Sequence, residues 1–411
     1  MACIKPFKAI RPEKNIAERV AALPYDVFNR EEALEEVRKE PYSFLRVDRA
    51  ETFFDQGVDT YDERVYEKAR VTLWDMVTRG EMIQDKNPFY YIYELVMEGR
   101  VQTGIVACAS VDDYTNGIIK KHENTRADKE LDRIRHVDTC NAQTGPIFLA
   151  YRSCREINNI VRLTKEKRPV YDFTTSDSIT HRVWIIDEEH RILKLQEEFQ
   201  KLDSIYIADG HHRCASAVKV AQKRRCENSE HTGEEDYNYF LSVLFPDDQL
   251  MIMDYNRVIK SLNGYTEETL ISKLKDYFTV ELKNHPFRPQ GKGEIGMFLA
   301  EHWYRLKIRE EYLKKDVVEG LDVSILQELV LNPIFGIEDP KTDKNIDFVG
   351  GIRGLEELER RVRTDCEVAF TMYPTSIQEL FAVADEHRLM PPKSTWFEPK
   401  LRSGLFIHNI G

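Results

Sequence analysis

The spacing of apolar positions predicts two helices in the N-terminal part of the chain. Over residues 61–79, apolar side chains recur every three or four positions, which is typical of a helix with one buried face. That face carries Val65, Tyr66, Ala69, Leu73, Trp74, Met76 and Val77. Gly80 follows at the position where helices often end. A shorter helix is predicted over residues 30–39.

The pattern then changes to one that favours strands. Residues 89–97 and 101–111 are rich in aromatic and β-branched side chains and are joined by Glu98-Gly99-Arg100, which predicts a β-hairpin. A short strand is predicted near residues 118–119. A charged helix should follow it to about residue 137, with Thr125 as its N-cap.

Later segments indicate a mixed α+β fold. Strands are predicted at 183–186, 204–208, 240–245 and 251–255, and helices at 192–202, from about 212, and at 267–277. The polar stretch 222–237 is predicted to be a surface loop. Since helices and strands interleave without a long, regular βα alternation, a doubly wound sheet is disfavoured. A composition shift near residues 262–264 predicts a domain boundary.

Composition excludes several classes of protein. The 411-residue chain carries a formal net charge of −12, which disfavours nonspecific nucleic-acid binding because that needs a basic face. Its seven cysteines are scattered and form no CxxC pair, so neither a disulfide framework nor a structural zinc site is expected. We expect a reducing cytoplasm, no signal peptide and no membrane span.

The segment 205–213 holds the strongest candidate for chemistry. A short apolar strand runs into Asp209, Gly210, His211, His212 and Arg213, and a helix begins within this turn. The N-terminus of a helix offers free backbone N–H groups that suit a phosphate, and an arginine can donate two hydrogen bonds to its oxygens. The alternative is an ordinary strand–turn–helix with exposed histidines.

A direct, high-affinity metal site is not expected from the His211-His212 pair. Adjacent residues on a helix point about 100° apart. The HExxH signature of zinc enzymes is also absent.

A second candidate lies at the predicted strand-to-helix turn that contains His122, Glu123 and Thr125. The Glu123 carboxylate could act as a general base. The alternative is a solvated strand end. The charged residues that follow are expected to form an exposed helix face, although some could line an anion pocket: Arg126, Lys129, Arg133, Arg135 and His136.

The third candidate is the proline-rich tail around residues 390–400. Lys393, Ser394, Thr395 and Lys400 are side chains that often contact phosphate. A rigid, aromatic tail is expected to dock on the protein. Packing alone is the alternative.

Together with Pro24-Tyr25-Asp26-Val27, these motifs resemble the prokaryotic domain-of-unknown-function family numbered one thousand and fifteen. That family in turn is similar to the free-serine kinase branch of the ParB/sulfiredoxin-like superfamily. The resemblance implies a mixed-sheet, nucleotide-binding core over residues 116–262. Residues 1–115 and 263–411 would then be α+β additions, with the tail docked back on the core.

The resemblance also implies roles for the candidate residues. Glu123 would accept the hydroxyl proton of free L-serine, with His122 and Asp209 beside it in the catalytic site. Gly210, His211, His212, Arg213 and Thr125 would hold the nucleotide phosphates. Tyr25, Asp26, Lys393, Ser394, Thr395 and Lys400 would contact substrate or phosphate. Mg²⁺ with ATP or ADP is the implied cofactor, and a homodimer is left open.

Two other classes of protein stay open at this point. A non-catalytic sensor would bind nucleotide without acceptor-dependent turnover. A phosphohydrolase would release phosphate without any acceptor.

Overall fold

Helices and strands interleave along the whole chain in the computed structural model, which describes residues 1–411. The helices are α1 (Ala17–Val20), α2 (Arg30–Lys39), α3 (Leu45–Asp48), α4 (Glu63–Thr78), α5 (Val111–Thr115), α6 (Ala127–Cys140), α7 (Arg155–Lys165), α8 (Glu189–Gln200), α9 (His211–Glu227), α10 (Glu267–Leu274), α11 (Asp322–Leu326), α12 (Gly354–Thr364) and α13 (Ile377–Asp385).

The strands are mostly short. They are β1 (Ile4–Lys5), β2 (Ile10–Pro12), β3 (Met82–Gln84), β4 (Tyr90–Met97), β5 (Arg100–Ser110), β6 (Ile119–Lys120), β7 (Ala142–Gln143), β8 (Ile147–Tyr151), β9 (Tyr171–Thr174), β10 (Thr180–Ile186), β11 (Ile205–Asp209), β12 (Tyr239–Pro246), β13 (Ile252–Met253), β14 (Tyr255–Ile259), β15 (Phe278–Lys283), β16 (Glu294–Leu299), β17 (His302–Ile308), β18 (Ile346–Gly350), β19 (Val368–Met372), β20 (Trp396–Phe397) and β21 (His408–Asn409).

The chain forms two compact units. The first contains Met1–Leu250 together with Pro399–Gly411, and the second contains Met251–Glu398. These limits differ from the predicted boundaries after residues 115 and 262. The difference after residue 115 arises because β4 and β5 share one sheet with β8, β11 and β12, so the N-terminal segment and the predicted core are joined by backbone hydrogen bonds.

A nine-stranded mixed sheet organises the first unit. Its order is β6-β11-β8-β12-β5-β4-β10-β9, with β1 also paired to β5. Most pairs are antiparallel, but β11 runs parallel to β6 and β12 runs parallel to β8. The mixed α+β class expected from the sequence is therefore confirmed. Helix α9 contributes Cys214, Ala217, Val218 and Ala221 to the same apolar core as Ile205 and Ile207 of β11.

A second apolar cluster in this unit lies around α4. Val65, Ala69, Leu73 and Met76 are buried on its predicted apolar face. They share a core with Ile407, near the end of the chain. The last segment is held there by the backbone N–H of Ser403, which donates to the carbonyl of Ala22 at 2.8 Å.

The second unit is built on a six-stranded antiparallel sheet. Its order is β15-β17-β16-β19-β14-β18. Helix α12 contributes Leu358 to an apolar cluster with Val258, Phe298 and Trp303 of this sheet.

Two local predictions are wrong. Helix α9 continues to Glu227, so the predicted loop over 222–237 is helical in its first part. Apolar Val220 and Ala221 are buried here, and Arg224 and Arg225 bond to other elements and hold the helix in place. Helix α6 has Arg126 at its N-cap, so Thr125 does not cap it.

None of the helices combines the length and the apolar character that crossing a membrane requires.

The buried Asp322 at the start of α11 predicts a pH-dependent stability. Burial raises the pKa of Asp322 to about 6, although the backbone N–H of Gly293 donates to both carboxyl oxygens at 3.0 Å. Between about pH 4 and pH 6 the folded state therefore holds a proton that the unfolded state has lost, so stability falls as the pH rises through this window.

We expect Asp322→Asn to remove this fall, which for one group amounts to about 2–3 kcal/mol. Urea unfolding of both proteins between about pH 4 and pH 7 measures the effect, and the difference between them cancels the other titrating groups. Parallel stability curves for the two proteins would contradict the prediction.

Candidate functional site

A glycine turn joins β11 to α9 and forms the centre of the candidate site. Gly210 has φ +92°, a conformation that side chains with a Cβ rarely adopt. It occupies the N-cap position of α9, and no side chain caps this end of the 17-residue helix. The first N–H groups of a helix have no partner within the helix. The turn thus presents uncapped donors and the positive end of the helix dipole.

Asp209 is fixed at the end of β11 by two contacts. Lys400 Nζ lies 3.1 Å from its Oδ2, and the backbone N–H of Gly210 donates to its Oδ1 at 2.7 Å. Burial alone would raise the pKa of Asp209. The positive charges of Lys400 and Arg213 outweigh burial and hold that pKa well below its usual range. The carboxylate is therefore ionised and keeps the ammonium group of Lys400 beside the turn.

Arg213 is held beside the turn by a backbone carbonyl. Its Nη1 donates to the carbonyl of Pro146 at 2.6 Å. A Cβ added to Gly145 would lie 3.4 Å from that nitrogen, and one added to Gly210 would lie 3.3 Å from Nε. The two glycines therefore give the guanidinium group room to reach the turn.

The parallel pairing of β6 and β11 brings the second candidate motif to this turn. Ile119 aligns with Ile205 and Lys120 aligns with Tyr206, so the carboxyl ends of both strands lie at one edge of the sheet. His122 and Glu123 follow β6 there. The ring of His122 packs edge-on against the ring of His211, with centroids 4.5 Å apart.

Burial keeps these two imidazole rings neutral. It lowers the pKa of His122 to about 4, even though the ring donates a hydrogen bond to the backbone of Ile207. It also lowers the pKa of His211 well below the usual value, and the neighbouring His122 lowers it further. His211 is 8% exposed, and its Nε2 has no hydrogen-bond partner.

Thr125 and His212 connect this region to α6. The Thr125 hydroxyl donates to Glu130 Oε2 at 2.8 Å, and the backbone N–H of Arg126 donates to Nε2 of His212 at 2.9 Å. The His212 ring therefore accepts a hydrogen bond from the backbone at Arg126, whereas the His211 ring packs against His122.

Tyr25 and Asp26 approach the same region from the N-terminal segment. The positive charge of Arg213 is close enough to favour the ionised form of Tyr25, and the negative charge of Asp26 is close enough to favour the protonated form of His212. Burial raises the pKa of Tyr25 to about 12, so its hydroxyl stays protonated. The guanidinium group of Arg133 lies 4.0 Å from the centroid of the Tyr25 ring.

The face of α6 that was expected to be exposed is buried at Arg133 and His136. Arg133 is 7% exposed and pairs with Asp132, and His136 is 3% exposed. Tyr66 also donates to Asp132, at 2.9 Å.

A cavity of about 340 Å³ opens beside these residues. Tyr25 and Asp26 line it together with acidic and basic side chains that include Asp132, Arg133 and Lys129. A smaller cavity of about 30 Å³ is lined by Tyr25, Arg133 and Arg213. The larger cavity is lined by side chains of both charges, which suits a ligand that carries both signs.

Three predicted contact residues belong to the second unit. The carbonyl of Lys393 accepts a hydrogen bond from Arg257, and the hydroxyl of Ser394 donates to the carbonyl of Pro391. Thr395 follows directly. Lys400 is the one predicted tail residue that lies in the first unit, beside Asp209.

The chain belongs to the DUF1015 family of proteins of unknown function, because the family model matches residues 4–324. This confirms the resemblance drawn from the motifs. The search of curated proteins finds no match.

Three solved structures illustrate what else the chain is similar to. SbnI from Staphylococcus aureus, with a C-terminal truncation, is 12% identical, with 72% of this chain and 85% of that chain covered and a TM-score of 0.37. A free serine kinase in complex with AMP is 13% identical, with 73% and 91% covered and a TM-score of 0.35. A conserved hypothetical protein from Pyrococcus furiosus is 15% identical, with 76% and 96% covered and a TM-score of 0.34. Likenesses this weak do not assign a function.

The geometry of the turn predicts the effect of Gly210→Ala. We expect backbone strain to lower the free energy of unfolding by about 1–2 kcal/mol. It should fall further because the new Cβ crowds Arg213. Gly233→Ala is the matched control, since Gly233 has φ +94° and nothing within 4 Å of its added Cβ. Denaturant unfolding compares the two variants, and a loss in Gly210→Ala no larger than in Gly233→Ala would refute the crowding.

Proposed function

We propose that this protein is a nucleotide-dependent kinase that phosphorylates a small hydroxyl metabolite, with free L-serine as the leading acceptor. The observation that carries the proposal is the meeting of two motifs at one edge of the sheet. The parallel strands β6 and β11 end side by side, so Glu123 lies near the turn formed by Asp209 and Gly210. A proton acceptor and a phosphate site are the two parts that phosphoryl transfer to a hydroxyl requires.

The turn supplies the phosphate site. Its uncapped helix end offers backbone N–H donors, and Arg213 and Lys400 add positive charge. Donors that are already in place stabilise the charge of a transferring phosphoryl group without reorganisation. Asp209 contributes indirectly, because it holds Lys400 and the Gly210 N–H in position. We also propose that the fold of this chain belongs to the ParB/sulfiredoxin-like superfamily.

Glu123 supplies the base. Its carboxylate would accept the acceptor's hydroxyl proton as the oxygen attacks the terminal phosphorus, and the bond from that phosphorus to the nucleotide would break. His122 lies beside it as a neutral ring. Thr125, His211 and His212 are proposed to line the phosphate side of the site.

Mg²⁺ fits the chemistry of the donors near the turn. Asp26 provides carboxylate oxygens, which are the protein ligands that Mg²⁺ prefers, whereas the two oxygens of Asp209 already accept from Lys400 and from the Gly210 N–H. When bound with ATP or ADP, the ion would neutralise part of the phosphate charge.

The cavity beside Tyr25 supports a small zwitterionic acceptor. Its volume of about 340 Å³ suits a single amino acid rather than a polymer. Of the residues that line it, Lys129 would face the carboxylate of the acceptor and Asp26 would face its ammonium group. Roles for Lys393, Ser394 and Thr395 as substrate or phosphate contacts, a homodimer and a cytoplasmic location stay predictions.

The direct test is acceptor-dependent turnover. We expect the purified protein with Mg²⁺, L-serine and either ATP or ADP to form O-phosphoserine, detected by phosphorus NMR. Glu123→Gln should lower the rate by about 10²–10⁴-fold, because it removes the base, while nucleotide binding stays close to wild type.

Asp128→Asn is the matched control for this experiment, because it makes the same change from carboxylate to amide on an exposed side chain nearby. It should keep the wild-type rate. Full activity in Glu123→Gln would refute the base. Phosphate release without an acceptor would indicate a phosphohydrolase, and nucleotide binding without turnover would indicate a sensor, so either result would refute the kinase.

A further inference from the structure

Three potential metal ligands meet where β6 and β11 end. They are the ring nitrogens of His122 and His211 and a carboxylate oxygen of Glu123, and all of these atoms lie within 4.8 Å of one another. The residues come from two different segments, the one after β6 and the start of α9. The sequence offered only the adjacent pair His211-His212, whose side chains diverge, so it did not indicate this grouping.

We infer that His122, Glu123 and His211 form a binding site for a divalent transition-metal ion. Two imidazoles and one carboxylate are the protein ligands of several catalytic zinc sites and of non-haem iron sites. Mg²⁺ and Ca²⁺ prefer all-oxygen surroundings, so this donor set selects against them. The inference concerns a site that goes beyond the proposed kinase and does not rest on it.

The state of His211 is an independent observation that points to a ligand. Its side chain is more than nine-tenths buried, yet Nε2 has no hydrogen-bond partner. A buried polar atom without a partner costs free energy, and a metal ion would satisfy it.

The surroundings of His122 match those of a metal ligand. Its ring donates a hydrogen bond to the backbone of Ile207. Histidines that bind metals usually donate their second ring N–H to a carbonyl or carboxylate, which fixes the tautomer and the orientation of the ring. The strand β11 that carries Ile207 also leads to His211, so one element orients both rings.

The cluster also has the geometry of an open site. Zinc binds nitrogen and oxygen ligands at about 2.0–2.2 Å, so small side-chain rotations would bring the three atoms into range. Three protein ligands leave further positions for water or another molecule. Glu123 is half-buried, whereas His122 and His211 are buried. Its carboxylate has two oxygens, so metal binding through one leaves the other able to accept a proton.

Cobalt binding to the full-length, chelator-treated protein tests the inference. We expect the wild type to bind one Co²⁺ per chain, with the visible absorption bands of low-coordinate nitrogen and oxygen ligation, and Zn²⁺ to displace it. His211→Ala should weaken binding by about 100-fold or more, since even second-shell changes cost about 10–100-fold. His212→Ala is the matched control and should bind as the wild type does, because the His212 ring already accepts from Arg126.

Glu123→Gln provides a second ligand variant should His211→Ala not fold, and it should weaken Co²⁺ binding as well. A wild type that binds no Co²⁺ would overturn the site. Equal binding by the wild type and by either ligand variant would also overturn it, because the ion would then be adventitious. The experiment contains no nucleotide or acceptor, so its failure would be distinct from failure of the kinase.

Discussion

The parallel pairing of two short strands is the constraint on which the candidate site depends. β6 and β11 share only two aligned residue pairs, yet this register makes both strands end at the same edge of the sheet. The residues of the His122-Glu123 and Asp209–Arg213 motifs all lie at the end of β11 or in the segments that follow the two strands. Clefts beyond the carboxyl ends of strands are common ligand sites in sheets with parallel strands, because the loops there converge. If the pairing of β6 shifted by one residue, each of its side chains would lie on the opposite face of the sheet.

Burial and fixed charge then set the chemistry at this edge. His122 and His211 are neutral because burial disfavours their charged forms, whereas Asp209 stays ionised because Lys400 and Arg213 compensate its charge. The contact between Lys400 and Asp209 brings a residue from near the end of the sequence to the turn. A neutral imidazole pair beside a charged turn can serve both proposals, because neutral rings bind metals and fixed cations bind phosphate.

Much of the fold could be predicted where one local pattern dominates. The hairpin of β4 and β5 and the helix α4 follow directly from alternating and helical spacing. The pattern failed in α9, where buried alanines and arginines bound to distant groups extend the helix beyond the apolar stretch. It also failed for Arg133, which is charged yet buried, because a charge on a helix is ordinarily solvated unless a group from another segment, here the Tyr25 ring, covers it. The residue types predicted each of the two motifs, His122-Glu123 and Asp209–Arg213, by itself. The contact between His122 and His211 depends on the pairing of β6 with β11, which the sequence pattern does not predict.

The turn after β11 is proposed to bind phosphate, and calorimetric titration with a nucleotide and its nucleoside measures this binding. The wild type should bind ADP at least about tenfold more tightly than adenosine, and Arg213→Gln should remove most of this difference, because hydrogen bonds from a charged donor contribute about 1.5–3 kcal/mol. The control variant Asp128→Asn should keep the wild-type difference in affinity between ADP and adenosine. Equal affinity of the wild type for ADP and adenosine, or an unchanged difference in Arg213→Gln, would show that the turn does not bind phosphate.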